Sequence, residues 1–253
     1  MIGGAAEPCR LLGWDSEFFG RRIARLDAPR LDPALAARVL AWCRRESVAC
    51  LYLLVAAADG ETVRVAEDAG FRLVDVRATL ERTVAGEEGT RPRVPDRDGV
   101  GRTAIRGPRP EDLPSLKALA VANHRDTRFH RDPTFSTTEA EALYARWIER
   151  SCGGWADRVF VADRGDGPIG YVTCHGAAGA AAGQIGLVGV DARFRGKGIG
   201  SWLLSEALGW FAERKVACVT VATQGGNIGA LRLYERAGFQ LGALELWYHR
   251  AFP

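Results

Sequence analysis

The chain repeats itself at a spacing of 168 residues, and that repeat restricts what it can fold into more than any other feature. Residues 32–82 align without a gap on residues 200–250. The match includes Leu35 with Leu203, Leu40 with Leu208 and Trp42 with Trp210. It also places Val48-Ala49-Cys50 on Val216-Ala217-Cys218 and Ala69-Gly70-Phe71 on Ala237-Gly238-Phe239. A supersecondary unit used twice makes each copy a control for the other. Identities report a shared scaffold, and differences need a separate cause. Two differences stand out: Asn227 faces Asp59, and Tyr234 faces Ala66.

A larger difference lies just upstream. The second copy is preceded by Arg195-Gly196-Lys197-Gly198-Ile199-Gly200, the first by Asp27-Ala28-Pro29-Arg30-Leu31-Asp32. In the second copy, 184–190 reads as a strand and 199–214 as a helix, with Trp202, Leu203, Ala207, Leu208 and Trp210 at helical spacing. Glycines between them let the backbone turn with its N–H groups inward, onto the positive end of the helix. Such a turn suits a diphosphate. In the first copy Asp32 reads as an N-cap and Pro33 as the first helical residue, an ordinary helix start.

The pattern Arg195-x-x-Gly198-x-Gly200, followed by Asn227 and by Tyr234 in Leu-Tyr-Glu-Arg-Ala-Gly-Phe, resembles the GCN5-related N-acetyltransferases (GNAT). The resemblance covers about residues 103–253. Within that superfamily the chain is similar to the dTDP-fucosamine acetyltransferase group. That likeness is carried by Trp14-Asp15-Ser16-Glu17-Phe18-Phe19-Gly20, Arg128-Phe129-His130, Trp147-Ile148, Thr223-Gln224 and Tyr248-His249. It implies an α/β fold, a central mixed sheet flanked by helices, preceded by a partial GNAT-like copy. Acetyl-CoA is then the acyl donor. The backbone of Arg195, Gly196, Lys197, Gly198, Ile199 and Gly200 would hold its pyrophosphate. Val188, Val190 and Asn227 would hold its pantetheine arm, and Tyr234 would protonate the leaving thiolate. The acceptor would be a small amine, a nucleotide-activated amino sugar, met by Trp14, Phe18, Arg128, Phe129 and His130. Another amine, or coenzyme binding without turnover, remains open. Among the histidines, His124 and His130 are candidates to orient or deprotonate the amine, and His249 reads as structural.

Residues 85–102, rich in Gly, Pro and charge, read as a linker between a partial domain, 1–84, and a catalytic domain, 103–253. Asp166-Gly167 between apolar runs at 159–163 and 169–174 reads as a hairpin. A net charge of +3, with basic residues scattered among acids, gives no basic stripe for nucleic acid. No stretch is long and apolar enough to span a bilayer. Six cysteines without paired metal spacing read as small core residues in a reducing compartment. A cytoplasmic protein without a metal is expected, its oligomeric state open, with a homodimer one possibility.

Overall fold

The computed structural model describes residues 7–84 and 103–252. The linker expected over 85–102 lies outside the described residues. The strands are β1 (Arg10–Leu11), β2 (Ile23–Leu26), β3 (Cys50–Ala56), β4 (Arg72–Thr83), β5 (Ala104–Arg106), β6 (Arg158–Asp163), β7 (Pro168–His175), β8 (Ala182–Val190), β9 (Cys218–Gln224) and β10 (Gln240–Ala251). The helices are α1 (Gly13–Phe19), α2 (Pro33–Arg45), α3 (Gly60–Asp68), α4 (Leu113–Asn123), α5 (Arg128–Arg131), α6 (Thr137–Arg150), α7 (Ile199–Glu213) and α8 (Ile228–Arg236). The repeat survives in three dimensions. A shift of 168 carries β3 onto β9, α3 onto α8 and β4 onto β10, with no residue gained or lost.

The chain forms two compact units that interleave in sequence. Of the described residues, the first holds 7–77, 126–139 and 243–252; the second holds 78–84, 103–125 and 140–242. In the first, β2 pairs parallel with β3 and β10 pairs antiparallel with β3, from Glu245 opposite Ala56 to Ala251 opposite Cys50. Its core gathers Val39, Trp42, Cys43, Leu51, Leu53, Ala66, Phe71 and Tyr248. In the second unit β4 lies beside β9, and the strand order continues through β8, β7, β6 and β5. Its main core includes Leu80, Val172, Ile185, Leu203, Phe211, Val219 and Tyr234.

Each repeat therefore gives its last strand to the other's sheet, and the bonds that close the exchange come in matched pairs. Phe252 N–H donates to Ala49 C=O at 2.9 Å in the first unit, and Val84 N–H to Ala217 C=O at 3.0 Å in the second. Gly70 and Gly238 end α3 and α8 with φ of 77° and 83°, a left-handed turn that a side chain would strain. Each turn is braced by an arginine from the exchanged strand. Arg250 donates to Gly70 C=O at 2.9 Å, and Arg82 donates to Ala237 C=O.

Local signals explain the elements that carry the site. Asp32 caps α2 through Leu35 N–H at 2.7 Å, with Pro33 in the first turn. The β6–β7 turn closes on Asp163 Oδ1, which accepts from Gly165 and Gly167 N–H. Arg106 on β5 forks onto Asp112 at 2.6 and 2.8 Å and donates to Asp163 at 2.7 Å, which fixes the start of α4. Cys9, Cys43, Cys50 and Cys174 are buried free thiols, while Cys152 and Cys218 are half-buried. No helix among the described residues is long and apolar enough to cross a membrane.

Candidate active site

The second unit opens where β8 leaves β9. The parallel ladder runs only from Ala182 opposite Cys218 to Ile185 opposite Val221, although both strands continue. Val188 and Val190 lie beyond its end, with their side chains on the α7 core that also holds Tyr234. Leu187 faces the other way, into the cluster of Leu116, Tyr144 and Tyr171 from α4, α6 and β7. Directly after β8 the chain turns through Gly196 and Gly198, whose φ values of 76° and 84° demand glycine. A Cβ on Gly196 would meet open space, so its role is the backbone path. The first α7 bond joins Trp202 N–H to Gly198 C=O at 3.0 Å. The N–H groups of Ile199, Gly200 and Ser201 therefore have no helical acceptor, and no side chain caps them. In the first copy the equivalent helix end is capped by Asp32 itself, which accepts from Leu35 N–H and places a negative charge there.

Two groups expected to touch the donor are already engaged. Val190 N–H donates to Asn123 Oδ1 at 3.2 Å, and Val190 C=O accepts from Arg195 Nε at 3.2 Å. Arg195 Nη2 also donates to Asn123 Oδ1 at 2.9 Å. Asn123, at the end of α4, thus ties the cradle to the strand. Sequence reasoning did not single it out, because its partners lie about seventy residues away.

Asn227 caps α8, accepting from Ala230 N–H at 3.1 Å, as Asp59 caps α3 through Thr62 N–H at 3.1 Å. The scaffold needs a cap in both copies. What Asn227 adds is an amide NH₂, a donor that a carboxylate lacks. Tyr234 is 5% exposed, and burial pushes its hydroxyl well above the ordinary phenol range. Its hydroxyl has no hydrogen-bond partner among the described residues. The proton is therefore held firmly at neutral pH and is not committed elsewhere.

On the opposite face of β8, Tyr171 covers Gly189: a Cβ there would come within 2.7 Å of Tyr171 Cε1 and 3.0 Å of its hydroxyl. That hydroxyl lies 3.2 Å from His124 Nε2, and the His124 ring stacks on Tyr144 at 4.6 Å. Burial raises the Tyr171 hydroxyl above the phenol range, with the Tyr144 and Tyr234 phenols adding to it. Nothing in the sequence pointed to Tyr171.

Residues expected to meet the acceptor gather in the first unit. Trp14 and Phe18 stack on each other at 5.3 Å along α1, a helix that Gly20 ends with φ of 62°. Phe129 corrects its expected role of meeting the acceptor: it is 2% exposed and packed against Phe19, Tyr52 and Phe135, with no face left open. His130 Nδ1 pairs with Thr127 Oγ1 at 3.0 Å. Arg131 is spent on Asp126 at 2.7 Å. Arg128 donates to His249 Nε2 at 3.0 Å, and His249 Nδ1–H donates to Asp132 Oδ2 at 2.5 Å. Cys50, Asp132 and His249 bring their donor atoms within 4.8 Å of one another. That cluster is poorly matched to a cation. A guanidinium already occupies the imidazole nitrogen, and burial pushes the Cys50 thiol up to about 12, so it offers no thiolate.

Residues 120–239 match the model of the Acetyltransferase (GNAT) family. The chain carries a GNAT acetyltransferase domain. The match spans the cradle, Asn227 and Tyr234. The chain is 28% identical over 242 residues to dTDP-fucosamine acetyltransferase of Escherichia coli O6:H1, covering 94% of this chain and 96% of that protein. It is 30% identical over 142 residues to spore coat polysaccharide biosynthesis protein SpsD of Bacillus subtilis, covering 56% of this chain and 48% of that one. In fold it is similar to a GCN5-related N-acetyltransferase from Sphaerobacter thermophilus, with a TM-score of 0.64 at 19% identity, over 96% of this chain and 76% of that one. A tandem GNAT protein from the clavulanic acid biosynthesis pathway gives 0.61 at 16% identity, over 91% of this chain and 76% of that one. GNAT enzymes take their acetyl group from acetyl-CoA.

Proposed function

We propose that the acetyltransferase moves an acetyl group from acetyl-CoA to the amine of a nucleotide-linked amino sugar, by direct attack while both substrates are bound. The observation that carries the reaction is the contrast between the copies. One keeps the open helix end, the parted strands, an amide cap and a buried phenol; the other has Asp32, Asp59 and Ala66 in the matching places. The sugar acceptor is supported by the full-length similarity to a dTDP-fucosamine acetyltransferase.

The pyrophosphate lies against the N–H groups that open α7, where the helix end favours negative charge. The pantetheine arm runs along the free edge of β8 as an added strand would, displacing the Asn123 contact from Val190 N–H. The amine enters from the Tyr171 face. Its ammonium passes a proton to Tyr171, which hands its own to His124 Nε2. The free nitrogen then forms a bond to the thioester carbonyl carbon, the carbon–sulfur bond breaks, the thiolate takes the Tyr234 proton, and the second proton lost by the nitrogen returns to the Tyr234 oxygen through water. Mass spectrometry of the protein incubated with acetyl-CoA and a library of dTDP- and UDP-amino sugars tests the reading. A mass gain of one acetyl group on a nucleotide-linked sugar is expected. Acetylation confined to other amines would overturn the acceptor. Donor-induced thermal stabilisation with no thiol release from any amine would overturn catalysis.

A further inference from the structure

We infer that the first unit holds a built anion site centred on Arg128, with His249 as its positioning residue, that takes the phosphoryl oxygens of a nucleoside diphosphate. This rests on the nucleotide-linked acceptor just proposed and names the group that reads it.

The Arg128 guanidinium carbon lies 4.2 Å from the Tyr52 ring, 4.3 Å from Phe129 and 4.2 Å from Trp247. Tyr52, Phe129 and His249 are at most 3% exposed, so these walls of the cage are core, while Trp247 is half-buried. Cation–π contact and one hydrogen bond fix the fork without neutralising it. Among the described residues Arg128 has no ion pair, and its remaining guanidinium N–H groups have no protein acceptor, while its backbone N–H donates to the Asp75 carboxylate. Its neighbours differ. Arg21 is paired with Glu139 at 2.8 Å, and Arg131 with Asp126 at 2.7 Å. One half-buried arginine in this region keeps its donors for something else.

His249 sets the direction of those donors. Its Nε2 accepts from a cation, which requires a neutral ring protonated on Nδ1, and Asp132 takes that proton's hydrogen bond. Asp132 is held in turn by Thr134 N–H at 2.9 Å. The carboxylate is thus kept one ring away from the guanidinium and anchors it without cancelling its charge. Asp15 on α1 is the acidic group whose field also reaches Arg128, and its half-buried carboxyl is pushed upward by burial. An arriving phosphate would compete with it. A planar, pre-oriented fork suits two phosphoryl oxygens, and its rotamer entropy is already spent.

The decisive experiment is calorimetric titration of dTDP, inorganic pyrophosphate and coenzyme A into the full chain and four variants, with melting curves as a folding control. Arg128→Gln should weaken dTDP roughly 10- to 100-fold, the loss expected of a charge-assisted contact, with coenzyme A affinity unchanged. His249→Gln keeps an acceptor for Arg128 and should retain most dTDP affinity, whereas His249→Ala should lose it. Asp15→Asn should tighten dTDP about 2- to 5-fold, the opposite sign from a structural loss. Equal dTDP binding by Arg128→Gln and wild type would overturn the inference and leave the acceptor reading intact. So would a parallel loss of coenzyme A affinity, which would assign the site to the donor. If the wild type binds pyrophosphate through Arg128 while no nucleotide-linked amine is acetylated, the anion site stands and the acceptor reading falls. If it binds neither dTDP nor pyrophosphate, both fall.

Discussion

Asn227→Asp copies into the second repeat what the first already contains, and the two caps predict its effects separately. Both side chains accept one backbone N–H at 3.1 Å, from Ala230 and from Thr62. The cap therefore survives the change. A carboxylate at a helix N-terminus gains roughly 0.3–1 kcal/mol from the helix dipole, so melting should hold or rise slightly. Donor binding should suffer instead. The variant loses its NH₂ donor and turns a charge toward any pantetheine carbonyl that accepted from it. Losing such a contact and leaving the carbonyl unpaired costs about 1–3 kcal/mol, or roughly 5- to 150-fold in acetyl-CoA affinity. Asn227→Ala gives the complement, losing about 1 kcal/mol of stability with the cap as well as the donor. Calorimetry with coenzyme A, alongside thermal melts, separates the two effects. Full donor affinity in a normally folded Asn227→Asp protein would refute the reasoning and reduce Asn227 to a helix cap.

Tyr234→Phe should lower kcat roughly 10²- to 10⁴-fold with little change in the KM for acetyl-CoA, as expected when a general acid is removed. Because burial raises the Tyr234 hydroxyl, the wild-type kcat should show no alkaline fall at the ordinary tyrosine value near pH 10, and pH profiles will show whether it does. Gly189→Ala drives a methyl to within 2.7 Å of the Tyr171 ring, which is fully buried. A cost of about 1–3 kcal/mol from overpacking should appear in denaturant melts. Burial holds His249 down to about 4, below its unfolded value of about 6.5. Between those values the unfolded chain binds a proton that the folded chain refuses. Stability contributed by the neutral ring is therefore present above about pH 6.5 and lost as pH falls toward 4. Asp132, whose folded value is lowered, adds a loss of the same sign below the ordinary carboxylate range. Urea melts from pH 7 to 4 should show this slope in the wild type and a flatter one in His249→Gln.

The features legible in the sequence are those written in short spans. Asp32 and Pro33 open α2 as their residue types require, and the Asp163 to Gly167 turn follows from its glycines. The cradle glycines could be read for the same reason, since a left-handed φ selects one residue type. The exchange of β4 and β10 could not. Both strands look like local continuations of their own repeats, and which partner they choose is decided by ladders between residues far apart. The same holds for Arg128 and His249, which meet across 121 positions. Phe129 shows the other limit: an aromatic in a polar segment counts as an acceptor contact until packing from Phe19, Phe135 and Tyr52 encloses it.

The traded strands carry a consequence for anyone who cuts this molecule. A fragment ending at Val84 would lack the ribbon, Glu245 to Ala251, that flanks Cys50 to Ala56; one starting at Thr103 would lack β4, the neighbour of β9. Expressed alone, each piece would present a bare ladder, the kind of surface that recruits a stranger. Mixed together, the two should rescue one another.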